Sequence, residues 1–369
     1  MTYAGVFVDD QDAVFAEQLS TPGVLDIEHQ DVLEVTSLAR LIAAKQPMLV
    51  ALDYRLDETP AGLKPDQTYK GSALAQHLRD ASIETPATDF ALVLVSAETK
   101  IRTLYKPDKT AHDLFDRVYV KEDINKNRAQ IRRELLSLCA AYAALRQCGG
   151  VYKLADIMRA EGDDQAVIDV QALTLRLEDA KAPHLVVKTL LTQLIERPGP
   201  LIDTADACAH LGVSNTDADR VAALLTEHGA DYHGLLHEAW PRWWTHRVEA
   251  LAQETFGRRA TGLPASDRAR VLSEKFGSAF EPAVSPWTQS PHELVALACS
   301  CCRRGVELKH TVAVFESYLP RFATRRRVCW DCVQTDKYRE IVPPIVIDEV
   351  DQDLAEAVKA LQRPDGDAA

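Results

Sequence analysis

The chain has 369 residues, more than one average domain holds, so two or three domains are expected. Its 55 acidic residues against 42 basic ones leave a net charge of −13, which argues against indiscriminate binding to nucleic acid or anionic membranes. The start Met1-Thr2-Tyr3-Ala4 lacks a signal-peptide pattern, and no apolar run is long enough to span a bilayer. The expected compartment is therefore the cytoplasm, where eight cysteines read as thiols or metal ligands rather than as a disulfide framework.

Residues 3–123 alternate strand and helix patterns in the manner of a doubly wound α/β sheet. Ala4-Gly5-Val6-Phe7-Val8 predicts a buried strand closed by Asp9 and Asp10. A helix is expected over 12–19, a strand over 24–28 and a second helix over 35–45, with Leu38, Leu41 and Ile42 on one face. The run from Met48 to Leu52, bounded by Pro47 and by Arg55, Asp57 and Glu58, reads as a parallel strand that ends at Asp53. Leu74 and Leu78 stand at helical spacing within 71–79. Two further strands, 90–95 and 118–120, end in Ser96-Ala97 and in Lys121. A long helix from Ile124 to about Gln147 follows, and Gly149-Gly150 ends it.

Open α/β sheets bind ligands at the carboxyl ends of their strands, and here those ends carry carboxylates, one hydroxyl and one ammonium. That set suits transfer of a phosphoryl group onto a carboxylate. Asp10 and Asp53 can offer oxygen ligands to Mg²⁺, while Asp9 holds coordinated water. Asp53 is the candidate nucleophile, with Lys121 and Ser96 placed to stabilise phosphoryl oxygens. A single Asp at a strand end is more often a turn residue or helix cap; five such residues in this order outweigh that reading.

The motifs Val8-Asp9-Asp10, Leu52-Asp53, Val95-Ser96-Ala97 and Val120-Lys121 resemble the receiver domain of bacterial two-component response regulators over about the first 125 residues. The resemblance implies a five-stranded flavodoxin-like sheet, an acidic metal pair at Asp9 and Asp10, phosphorylation of Asp53, a switch hydroxyl at Ser96 and the family lysine at Lys121. It also implies a histidine kinase as phosphoryl donor. Three features depart from the pattern. Glu122 follows Lys121 where receivers usually have Pro. Val118 stands where the switch aromatic is expected, with Tyr119 displaced by one. An inserted loop runs around Thr59–Asp66.

From Val151 to about Gly277 the pattern is helical, interrupted at Arg197-Pro198-Gly199-Pro200. Residues 204–226 read as helix, Gly-Val-Ser turn and helix, which resembles a DNA-reading helix-turn-helix. The second helix, however, opens with Asn215, Asp217 and Asp219, with Arg220 its only base, so an ordinary hairpin is expected. Trp240-Pro241-Arg242-Trp243-Trp244 reads first as packing core and second as a partner-binding patch. His233 and His237 are four apart but lack an acidic ligand set and read as surface histidines.

Cys299-Ser300-Cys301-Cys302 and Cys329-Trp330-Asp331-Cys332 form twin knuckles able to present four thiolates to one Zn²⁺. Cys301 is an extra thiol that could stand in for Cys302. Such a closed site is structural rather than catalytic. Arg303, Arg304, Lys309, Arg321 and Arg325-Arg326-Arg327 make this module locally basic, through charge complementarity with the acidic remainder or a nucleic-acid or partner contact. The spacing also resembles HNH nucleases, but Val333-Gln334 stand where a His or Asn is expected and only His310 lies between the knuckles.

The expected organisation is a receiver-like domain over 1–148, a helical domain over 151–285, and a zinc module with tail over 286–369. The expected function is phosphoaspartate signalling with output through contact with a protein effector or a second copy, as adaptor, phosphate sink or effector regulator; bacterial stress and antiphage two-component systems include such proteins. A transcription regulator and a receiver-like scaffold that never gains phosphate are the alternatives.

Overall fold

The computed structural model describes residues 2–58, 63–64, 67–105, 108, 111–168, 177–341 and 344–361. Most of the 59–66 loop and the tail from Arg363 lie outside these residues. The chain divides into two compact units, each made of separated segments. The first comprises 1–161, 168–191 and 234–240; the second comprises 162–167, 192–233 and 241–369.

The first unit is built on five parallel strands: β1 (Tyr3–Val8), β2 (Leu25–Gln30), β3 (Leu49–Leu52), β4 (Ala91–Ser96) and β5 (Arg117–Val120), in the order β2-β1-β3-β4-β5. Every residue of β3 and β4 is buried, which is why these segments read as unbroken apolar runs rather than as alternation. Helices α1 (Val14–Leu19) and α5 (Lys121–Gln147) pack together, and α2 (Val35–Lys45) packs on α3 (Gly71–Glu84), as in a doubly wound sheet. Glu34 caps α2 by accepting from the N–H groups of Thr36 and Ser37, and Gln46 ends it in the left-handed region at φ 47°. Between β4 and β5 a short helix, α4 (Glu98–Lys100), widens into a π turn over Ile101–Tyr105. Helix α5 begins at Lys121 itself and breaks at Asn127, where φ is −112°.

A buried polar network ties the pole opposite the strand carboxyl ends. Arg79 on α3 donates to Asp89 at 3.3 Å, Asp116 at 3.1 Å and the carbonyl of Leu114 at 2.9 Å. Tyr142 on α5 donates to Asp116 at 2.8 Å. Asp89 also accepts from the backbone N–H of His184 at 2.7 Å and meets its ring Nδ1 at 2.9 Å. Burial works to raise the Asp89 pKa, but His184 and Arg79 together hold it below the usual value.

That network explains why the expected boundary at 149–150 does not mark the edge of this unit. Helix Pro183–Leu190 packs on α5 and is anchored through His184, so it belongs with the sheet. The expected boundary at 285–286 does not divide the second unit either. Strand Val295–Ala298 packs on helix Thr204–Leu211, and buried Arg268 donates to the carbonyls of His210 at 2.7 Å and Val295 at 2.6 Å.

The second unit has a helical core of Thr204–Leu211, Ala218–Glu227, Thr245–Phe256 and Ala265–Phe276, around Leu211, Val221, Leu225, Val248 and Leu272. A smaller core gathers around the four knuckle cysteines with Val306, Val312, Val328 and Val333. Trp243 and Trp244 are buried in this unit, and Trp240 is buried in the first, its ring beneath Arg117 at 5.4 Å. The tryptophan run is therefore packing core and not an exposed anchor. Among the described residues no helix is long and apolar enough to cross a membrane.

Candidate phosphoryl-acceptor site and cysteine cluster

The strand order reverses direction between β1 and β3, and this brings Asp9 and Asp10, which follow β1, beside Asp53, which follows β3. Gly71, the first residue of α3, donates to the Tyr54 carbonyl at 2.8 Å. A Cβ at that position would lie 2.2 Å from the Asp53 carbonyl oxygen, so only glycine permits this approach.

Asp53 is fully buried. Its Oδ1 accepts the Tyr54 N–H at 2.6 Å and the Ser96 hydroxyl. Its Oδ2 accepts from Lys121 Nζ at 3.1 Å and lies 3.6 Å from Lys100 Nζ. Lys121 also reaches Asp9 Oδ2 at 2.5 Å, while Asp9 Oδ1 accepts the N–H groups of Gln11 and Asp12. Asp10 Oδ2 accepts the Glu58 N–H at 2.9 Å. Asp9, Asp53, Ser96 and Lys121 thus meet directly, with Asp10 at the rim.

Lys100 and Glu58, which sequence reasoning did not assign to the site, complete it: Lys100 Nζ lies 2.5 Å from Glu58 and salt-bridges it. The available signal was that Lys100 follows Ser96 by four residues, but no strand end marks it. Burial works to lower the Lys121 pKa, and Asp53 and Asp9 outweigh it, so the ammonium is held above its usual value. Lys100 is raised likewise, burial being outweighed by Glu58 and Asp53. Oxygen-only donors fit a hard divalent cation such as Mg²⁺, with both lysines now bound to the oxygens it would use.

The displaced aromatic has its own role. Tyr119 is buried and donates to Glu134 on α5 at 2.9 Å, so its ring is fixed under the helix rather than set toward Ser96. Burial and the Glu134 charge push its phenol well above the usual pKa.

In the second unit, Cys299, Cys302, Cys329 and Cys332 bring their sulfurs within 4.8 Å of one another, and Cys301 is not part of the group. The first pair lies in the turn between Val295–Ala298 and Gly305–Glu307, where Arg303 takes φ 62°; the second spans the junction of strand Arg327–Cys329 and helix Trp330–Gln334. Cys299 Sγ accepts the N–H groups of Cys301 at 3.4 Å and Cys329 at 3.2 Å, contacts that stabilise a thiolate. The Cys302 pKa is lowered, chiefly by the hydrogen bond from Cys299 and then by those from Cys329 and Cys332. Four convergent thiols fit a tetrahedral Zn²⁺.

Several of the basic residues around the knuckles are paired within their own unit. Arg304 meets Asp331 at 2.7 Å, Arg325 meets Asp348 at 3.0 Å, Arg326 meets Glu316 at 3.1 Å and Arg327 meets Asp351 at 3.6 Å. In the 204–226 hairpin, Arg220 pairs with buried Asp217, and Asp217 also accepts the Glu281 N–H at 2.6 Å. His233 and His237 join no metal-capable cluster among the described residues.

No family model and no curated protein matches this chain. Among solved structures, the signal receiver domain of the response regulator NarL from Mycobacterium tuberculosis is similar at 22% identity and a TM-score of 0.27, covering 38% of this chain and 97% of that one. A fusion carrying the yeast Spc42 trimeric coiled coil is similar at 15% identity and a TM-score of 0.28, covering 38% of this chain and 83% of that one. The chain's own five parallel strands in the order β2-β1-β3-β4-β5, with helices on both faces, fit a receiver fold.

Proposed function

We propose that the chain is a phosphoaspartate-dependent signalling protein whose first unit takes a phosphoryl group from a histidine kinase onto Asp53. The observation that supports this reading is the meeting of Asp53 with Ser96 and Lys121 at the carboxyl ends of β3, β4 and β5, with Asp9 on the same ammonium. In the transfer, an Asp53 carboxylate oxygen bonds to phosphorus as the phosphohistidine P–N bond breaks, and the imidazole leaves. Lys121 releases one carboxylate to meet a phosphoryl oxygen, and the Ser96 hydroxyl moves from Asp53 Oδ1 to another. Asp9, Asp10 and Asp53 would hold Mg²⁺, which when bound would supply neutralising charge at the phosphoryl oxygens.

In the second unit, Cys299, Cys302, Cys329 and Cys332 would hold a structural Zn²⁺. Output runs through contact with a protein effector or a second copy, not through DNA. Displacing counterions from a duplex needs free basic side chains, and the arginine run 325–327 is spent on acidic partners.

Purified protein with Mg²⁺ and acetyl phosphate should gain one acid-stable, base-labile adduct, absent from Asp53→Ala. Labelling that persists in Asp53→Ala removes Asp53 from this role. The complete burial of Asp53 favours one competing reading, a receiver-like scaffold that never gains phosphate. Absence of any adduct, together with no response to beryllofluoride, would establish that reading instead.

A further inference from the structure

Besides the cysteines, the second unit gathers another set of metal-capable side chains. Glu293, Glu307 and His310 each bring one donor atom within 4.8 Å of the others. Strand Gly305–Glu307 runs straight into the turn Leu308–His310, which sets Glu307 and His310 three apart on one side. Val295 pairs with Glu307 across the antiparallel ladder, and this register brings Glu293 alongside.

Glu307 is 2% exposed. Its Oε1 accepts the Ser285 hydroxyl at 2.7 Å and meets His310 Nδ1. Its Oε2 is buried with no hydrogen-bond partner. A buried carboxylate oxygen without a donor is costly, and a bound cation is one way to remove that cost. The surroundings are aromatic: His310 lies 4.9 Å from Trp330 and 6.4 Å from Trp287, ring centre to ring centre, and the two indoles meet edge to face at 5.4 Å. Trp330 Nε1 is likewise buried without a partner.

We propose that Glu293, Glu307 and His310 bind a divalent first-row transition-metal ion at a site distinct from the four cysteines. One imidazole and two carboxylates form a donor set that Mn²⁺, Co²⁺ or Zn²⁺ accepts; the nitrogen disfavours Mg²⁺ and Ca²⁺, and the lack of sulfur distinguishes the site from the knuckles. Binding replaces the direct contact between His310 Nδ1 and the Glu307 carboxylate, and the imidazole gives up its Nδ1 proton to the solvent. Lys309, which pairs with Glu293 at 2.8 Å, has a side chain 60% exposed and can turn into solvent. Three protein donors leave a coordination position for water, as in open zinc sites and unlike the closed cysteine cluster. This inference does not depend on phosphorylation of Asp53.

The test is a Co²⁺ titration of the full-length, reduced, zinc-loaded chain in excess Mg²⁺, read by tryptophan fluorescence, with zinc release followed by a chromogenic chelator. Saturable quenching at one equivalent without zinc release is expected, because Trp287 and Trp330 border the site. Glu293→Gln and His310→Ala should each weaken Co²⁺ binding by at least about tenfold, while Asp53→Asn should leave it unchanged. Near-ultraviolet circular dichroism confirms that each variant is folded. If His310→Ala is not, Glu293→Gln decides, since its side chain is partly exposed at the rim. No saturable quenching up to millimolar Co²⁺, quenching only with zinc release, or equal binding in folded Glu293→Gln would overturn the site and leave a purely structural polar cluster.

Discussion

Asp53 is held by more groups than the proposed transfer requires, and the extra one is Lys100, whose ammonium sits between Asp53 and Glu58. Lys100→Ala removes a cation that competes with Mg²⁺ and keeps Ser96 and Lys121 in place. An ion pair of about 1 kcal/mol corresponds to about fivefold, so labelling by acetyl phosphate should quicken by that factor, measured by adduct mass against time. Lys121→Ala should act in the opposite sense. Mg²⁺ binding should persist because Asp9 and Asp53 lose a competing ammonium, but labelling should fall about 100-fold, the scale of losing one stabilising charge at a transferring group. Gly71 tests positioning without touching the chemistry. Its Cβ in Gly71→Ala would meet the Asp53 carbonyl at 2.2 Å, and backbone cannot yield as a flexible side chain can. A loss of about 1–3 kcal/mol in denaturant unfolding is expected, together with slower labelling; a variant with unchanged midpoint and rate would show that the approach is not required.

At the level of elements, two features of the second unit respond to solution conditions. His210, at the end of helix Thr204–Leu211, has its pKa lowered to about 4 by burial and then by Arg268 and Arg259. The unfolded chain binds that proton near pH 6.5 while the folded chain refuses it until about pH 4. Stability is therefore complete above 6.5 and falls as pH drops from 6.5 to 4, by about 3 kcal/mol at most. His210→Asn should flatten that part of the unfolding midpoint against pH. Zinc removal is the second lever: a strong chelator, or Cys329→Ser, should open residues 295–334 to protease and leave the five-stranded sheet protected. The strand ends were legible in the sequence because each motif is local. An apolar run followed by Asp9-Asp10, Asp53, Ser96 or Lys121 carries its own register, and helix 35–45 was read to the residue. Element ends elsewhere shifted: α3 continues to Glu84 and α5 starts at Lys121, where Glu122 and Asp123 suit a helix N-terminus. Lys100 and Glu58 were not legible, since nothing in the spacing of a loop says which way its side chains turn. The Glu293, Glu307 and His310 group was missed for a related reason, because it depends on a strand register between segments read separately.

Across the whole molecule, the division into two units rests on long-range contacts, which leave no periodicity in the sequence. Asp89 and His184 are 95 positions apart, yet their bond decides that helix Pro183–Leu190 belongs to the sheet. A fragment cut at 148 should therefore contain all the phosphoryl-site residues and still melt lower than the intact first unit, with α5 uncovered and Asp89 deprived of a partner; equal melting temperatures would contradict this. The same discontinuity has a consequence in time. During synthesis, the sheet and α5 leave the ribosome while residues 183–191 and 234–240 remain to be made. At about 5–20 residues per second, the roughly 90 residues from Gln147 to Trp240 take some 5–20 s. Until residues 183–190 are made, the nascent chain presents the apolar surface of α5 that this helix covers, and the second unit's 192–233 is made before 234–240 completes the first.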